Sequence, residues 1–128
     1  MNLNFGIAGT VVEIVSNTRF DEYQRDQILT PLSEGFPEIS TLNAANIKQP
    51  KDLGVLYIGD KGKWVPSYDN YPSGSVPQRN LTGYQIGTNG VIFGPQGGLR
   101  ASATHLSNYA IMLSNGGKTA QGKVILSP

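Results

Sequence analysis

Few side chains in this sequence can do covalent chemistry. Cysteine is absent from the 128 residues, which removes thiol nucleophiles, thiolate metal sites and disulfides together. A single histidine, His105, excludes a His-pair metal motif and leaves one neutral base. A base without a partner nucleophile explains nothing, so His105 reads as a solvated surface residue. No metal and no cofactor is expected. The aromatic pair Tyr57 and Trp64 admits two readings, a flat substrate platform or the core of a β-hairpin, and hairpin core is the simpler. Asn80-Leu81-Thr82 spells an N-glycosylation sequon, a triplet that often arises by chance. Gly97-Gly98 either permits a tight turn or forms a wall free of side chains beside a ligand.

Charge excludes one class of partner. Ten Lys and Arg against nine Asp and Glu give a net of +1, without the basic excess of a nucleic-acid binder. The charges are unevenly placed. Residues 1–38 hold six acids and two bases, while residues 70–128 hold four bases and no acid. The plain reading is a dilute polar surface, and the sharper one a mildly positive face suited to carboxylates. The chain is 38% hydrophobic, with no apolar run near the ~20 residues that span a bilayer. No basic-then-apolar leader opens the sequence given, and localisation is left unassigned.

Helices are expected at about 4–16, 18–29 and 102–115, with a loop and short-strand region over 33–101, all in one domain. In the first helix, Phe5, Ala8, Val12 and Val15 share one set of helical spacings, and Ile7, Val11 and Ile14 another, so the rod reads as apolar nearly all round. Gly6 and Gly9 permit close approach of another backbone. Thr18 is placed to cap the second helix, with Asp21 three residues on, and Pro31 to end it. From Gly59 to Gly98 there are nine glycines and four prolines, which argues against long helices. Residues 53–58 and 63–65 read as strands around the turn Gly59-Asp60-Lys61-Gly62. Ser102 is the expected N-cap of the third helix, Leu106, Tyr109, Ala110 and Leu113 its buried face, and Asn115-Gly116-Gly117 its end. A helix apolar on every side near the first residue, and a Ser127-Pro128 helix opening at the last, predict a partial domain cut from something larger.

Three blocks carry a resemblance. The first is Asn2-Leu3-Asn4-Phe5-Gly6-Ile7-Ala8-Gly9-Thr10-Val11-Val12-Glu13. The second runs from Arg19-Phe20-Asp21-Glu22-Tyr23 through Ile28 to Pro31-Leu32. The third is Pro95-Gln96-Gly97-Gly98-Leu99-Arg100-Ala101-Ser102-Ala103, followed by Leu106 and Leu113-Ser114-Asn115-Gly116-Gly117. In this order they resemble the serine β-lactamase and penicillin-binding-protein family, particularly its class C-like members, which include D-alanyl-D-alanine carboxypeptidases and related esterases. The resemblance implies the central segment of that α/β fold, its helical subdomain: mainly α, with long irregular loops and a short β-hairpin.

It also implies acyl transfer by a serine in Ser-x-x-Lys, with proton handling by the lysine and by the tyrosine of Tyr-x-Asn. No serine here has lysine three residues on. Ser16-Asn17-Thr18-Arg19 offers an arginine, which releases no proton near neutral pH, and Ser102-Ala103-Thr104-His105 reads as a helix cap. Asn2 aligns with the asparagine of Tyr-x-Asn. Tyr68-Asp69-Asn70 reads as a chance turn, and Lys118-Thr119-Ala120 as a decoy of the family's C-terminal Lys-Thr-Gly strand. Hence no catalytic residue is expected, and Asn2, Gln96, Gly97 and Gly98 are the substrate-binding candidates. The expectation is a segment of an acyl hydrolase acting on a β-lactam, D-Ala-D-Ala peptide or ester, inactive alone. Family members are often periplasmic or secreted. The alternative is a non-catalytic binding module derived from that family, its exposed apolar face covered by a partner or by self-association.

Overall fold

The computed structural model describes residues 3–32, 53–74 and 80–127. Asn2 and the closing proline lie outside them. The described chain is mainly helical, with one two-stranded antiparallel sheet. No helix among the described residues is long and apolar enough to cross a membrane.

Helix α1 spans Leu3–Ser16 and buries Gly6, Gly9 and Glu13. These lie at helical spacing and form one narrow stripe. The stripe packs on a short 3-10 turn, Gly90–Phe93. A Cβ at Gly6 would stand 2.7 Å from Val91 Cγ2, and one at Gly9 2.9 Å from Pro95 Cγ. The expected close backbone approach is present. The rest of the apolar rod is left open by the described residues, as a helix apolar nearly all round and short of neighbours was expected to be: Leu3, Phe5, Ile7, Val11, Ile14 and Val15 are all exposed, Val15 at 82%. The reason is geometric, because the face without large side chains is the one that lets the 3-10 turn come close. Asn17, at φ 50°, ends the helix in the left-handed conformation that asparagine tolerates.

Helix α2 (Phe20–Gln24) passes without a break into a π-helical turn, Arg25–Leu29, and a last turn α3 (Thr30–Leu32). Pro31 therefore does not end the helix. The Thr30 amide donates to the Arg25 carbonyl across five residues, and this wider turn displaces the carbonyls that a proline ring would strike. Thr18 does not cap α2 either. Its hydroxyl donates to the Ser16 carbonyl, and the free amide of Phe20 is satisfied by Glu13.

Strands β1 (Leu56–Asp60) and β2 (Lys63–Tyr68) pair around Lys61-Gly62, with φ of 47° and 79°. Two successive left-handed residues twist as the strands do, and Gly supplies one at no steric cost. Tyr57 and Trp64 are not hairpin core: Trp64 is 76% exposed. Trp64 stands opposite Gly59 in the register, and β1 is exposed along its length.

Helix α4 (Ala103–Ser114) starts where the Ser102 side chain accepts from the His105 amide at 3.2 Å. It ends through Gly116 and Gly117 at positive φ, with the Gly117 amide returning to the Met112 carbonyl. Its expected buried face is corrected: Leu106, Tyr109, Ala110 and Leu113 are exposed, and Met112 is the buried residue. Asn108 Nδ2 donates to the Leu32 carbonyl, joining α4 to the end of α3. His105 is half-buried. Lys118 bridges Val124 in a small closing loop, where Thr119 is buried and its hydroxyl oxygen accepts from the Lys123 amide.

Candidate functional site: the Gly97-Gly98 turn

The 84–100 segment, which ends in the Gly97-Gly98 turn, is fastened at three places. The first fastening is the α1 stripe. The Gly90 amide donates to Thr10 Oγ1 at 3.0 Å, and Thr10 in turn donates to the Gly6 carbonyl. A Cβ on Gly90 would stand 2.6 Å from the Thr10 nitrogen, so only glycine fits there. Gly94 then reverses the chain in the left-handed region, at φ 71°.

The second fastening is a fully buried carboxylate. Glu13 shows no exposure to solvent. Its Oε1 accepts from the Phe20 amide at 2.9 Å. Its Oε2 accepts from the Tyr84 hydroxyl at 2.5 Å and the Gly87 amide at 2.9 Å. Burying a carboxylate is costly unless several donors compensate it, and here they come from the start of α2 and from the 84–87 loop. Burial first, then the hydrogen bond to Glu13 and its charge, push the Tyr84 phenol up to about 12. The Tyr84 ring meets Phe93 edge to face at 5.1 Å. The Arg19 guanidinium lies over the same Phe93 ring at 5.2 Å. It also forks onto buried Asp21, at 3.0 and 2.8 Å, and that hydrogen bond chiefly raises the Arg19 pKa. Loop 84–93 is thereby fixed to α1 and α2.

The third fastening is Arg100, whose Nε and Nη2 reach the Asp69 carboxylate just past β2. Asp69 belongs to Tyr68-Asp69-Asn70, where the chain bends out of β2 with Asp69 at φ 58°.

Within this frame the candidate residues differ. The Gly97 and Gly98 amides both donate to the Gly94 carbonyl, at 3.2 and 2.7 Å. Those two donors are used internally. Gly97 is exposed at φ 137°, with nothing within 4 Å of where a Cβ would be. It offers a bare surface to a ligand and no amide. Gln96 turns inward, its Nε2 donating weakly to the Val91 carbonyl at 3.4 Å, while its Oε1 is sealed from solvent without a partner among the described residues. Asn2 falls outside the described residues. Sequence reasoning missed Glu13, Tyr84 and Asp69. The one available signal was an acid in line with Gly6 and Gly9 on the small-residue stripe of α1.

No group of His, Asp and Glu that could hold a metal ion is found among the described residues. Comparison with curated proteins and with solved structures gives no match. The family model described as Beta-lactamase matches residues 1–126. It covers the α1 stripe, the Glu13 network and the Gly-Gly turn together, and on that match the chain belongs to the beta-lactamase family.

Proposed function

We propose that this chain supplies the helical side and one cleft edge of a serine β-lactamase-like acyl hydrolase, without the nucleophile. The observation that carries the reading is the 94–100 turn: tied to Asp69 through Arg100, with a side-chain-free surface at Gly97, in a family member that contains no Ser-x-x-Lys. On this reading Gly97 and Gly98 form the wall along which an acyl substrate lies. The substrate is a β-lactam, a D-Ala-D-Ala peptide or an ester. Gln96 backs that wall from inside, and the resemblance to the Tyr-x-Asn motif makes Asn2 a substrate-binding candidate. The described residues then correspond to the helical subdomain, a partial domain whose serine, lysine and tyrosine come from other residues. The purified chain is expected to hydrolyse neither a chromogenic lactam nor a p-nitrophenyl ester. Turnover that disappears on substituting a single serine refutes the reading.

The exposed aliphatic side of α1 favours one second reading, a non-catalytic module of the same family that binds a partner through that side. The coding sequence around these residues separates the two. Ser-x-x-Lys and tyrosine upstream, with Lys- or His-x-Gly downstream, support the hydrolase. Immediate in-frame stops support the module.

A further inference from the structure

One guanidinium serves two distant parts of the chain at once. Arg100 Nε and Nη2 form a fork on Asp69, at 3.1 and 3.0 Å, while Nη1 donates to the Gly98 carbonyl at 2.6 Å. The Asp69 side chain is 7% exposed and that of Arg100 27%, so the carboxylate is largely out of water while the guanidinium keeps one edge in it. The Tyr71 hydroxyl also approaches Asp69 Oδ1, at 3.4 Å. Gly98 is thus gripped at both ends, its amide by Gly94 and its carbonyl by Arg100.

We propose that Arg100 is a positioning residue: it locks the Gly97-Gly98 turn to the base of the hairpin and sets the orientation of the Gly98 peptide through Asp69. The chemistry requires arginine. A planar guanidinium presents two parallel N–H groups to a carboxylate and keeps a third for a carbonyl, whereas an ammonium is a single point that cannot span both. Asp69 is the anchor that keeps the plane from rotating. The importance of the turn rests on the cleft reading above, whereas the lock itself does not.

The test is amide hydrogen exchange, followed by NMR, in the parent chain and in Arg100→Lys, Asp69→Asn and Asp69→Glu. Exchange at Gly98 is expected to rise about tenfold in the first two variants, with Val11 and Val12 of α1 unchanged. Asp69→Glu, which keeps a fork acceptor, is expected to recover much of the protection. Unchanged exchange at Gly98 in both Arg100→Lys and Asp69→Asn overturns the proposal. So does a rise shared equally by α1, which makes the pair a general stability contact. Local acceleration at Gly98 together with ester turnover by the purified parent keeps the lock and removes the cleft reading. Unaltered Gly98 exchange with no turnover does the reverse.

Discussion

Replacing Glu13 by glutamine changes one atom and tests the centre of the structure. The carboxylate only accepts, and three donors converge on it: the Phe20 amide, the Tyr84 hydroxyl and the Gly87 amide. A glutamine keeps one oxygen. If that oxygen faces Phe20, the new NH2 can donate to the Tyr84 oxygen but confronts the Gly87 N–H. If it faces Tyr84 and Gly87, the NH2 confronts the Phe20 N–H. Either way one buried backbone amide loses its acceptor, at about 1–3 kcal/mol, and the remaining bonds lose their charge assistance, at roughly 0.5–1.5 kcal/mol more. The sum is about 2–4 kcal/mol, a large part of the ~6–19 kcal/mol that stabilises a domain of this length. Urea unfolding followed by far-ultraviolet circular dichroism is the assay. The midpoint of Glu13→Gln is expected to fall by about 1–2 M with an unchanged slope. Glu13→Ala, which strands all three donors, is expected to fall further. A glutamine variant whose midpoint lies within about 0.3 M of the parent would refute the reasoning, because the donors would then have been satisfied without the carboxylate.

Other perturbations follow from the same contacts. Tyr84 ionises near 12 instead of 10.0, so the fold favours its neutral form. Its contribution is complete below pH 10 and is lost as pH rises through about 12. Near-ultraviolet titration is expected to show a late phenol in the parent that moves down in Glu13→Gln, but not fully to 10.0, because burial remains the larger cause. Gly90→Ala would drive a methyl against the Thr10 nitrogen and the Gly9 carbonyl carbon at 2.6 and 2.7 Å. It is expected to cost about 3 kcal/mol in thermal unfolding. Gly59→Ala meets nothing within 4 Å and is expected to stay within about 0.5 kcal/mol. Ser102→Ala removes the acceptor for the His105 amide and is expected to cost about 1 kcal/mol, read as lost helicity on denaturant titration.

What the sequence made legible was local. Ser102 and Asn115-Gly116-Gly117 bound α4 correctly because a cap is written in a few adjacent residues. Lys61-Gly62 turns the hairpin for the same reason. Gly6 and Gly9 announced a close approach, and Val91 and Pro95 make it. Misreadings arose where a distant contact overruled a local preference. Pro31 continues a helix because the preceding turn widens. Thr18 yields the start of α2 to a carboxylate on α1. Glu13 was invisible as a buried residue, since glutamate is exposed by default and two of its donors lie 71 and 74 positions away. Tyr68-Asp69-Asn70 read only as a chance turn, because the Arg100 that pairs with Asp69 lies 31 positions away. Apolar spacing on α1 and α4 marks faces that the described residues leave open. Of the candidate site, Gly97 and Gly98 were legible as a turn, whereas the fastenings that make the turn rigid were not.

The spacing of the partners of Glu13 also dictates an order of assembly. Its nearest donor lies seven residues on, and the other two more than seventy. On a ribosome emitting ~5–20 residues per second, α1 and α2 emerge seconds before Tyr84 and Gly87 exist. Until then the two donors of that loop are missing from the carboxylate, and the 90–95 segment cannot dock on the glycine stripe. Closing so long a loop is slow in search time though modest in free energy. Helices α1 and α2 therefore wait as a wet scaffold, and desiccation of Glu13 marks the moment the 84–87 loop arrives.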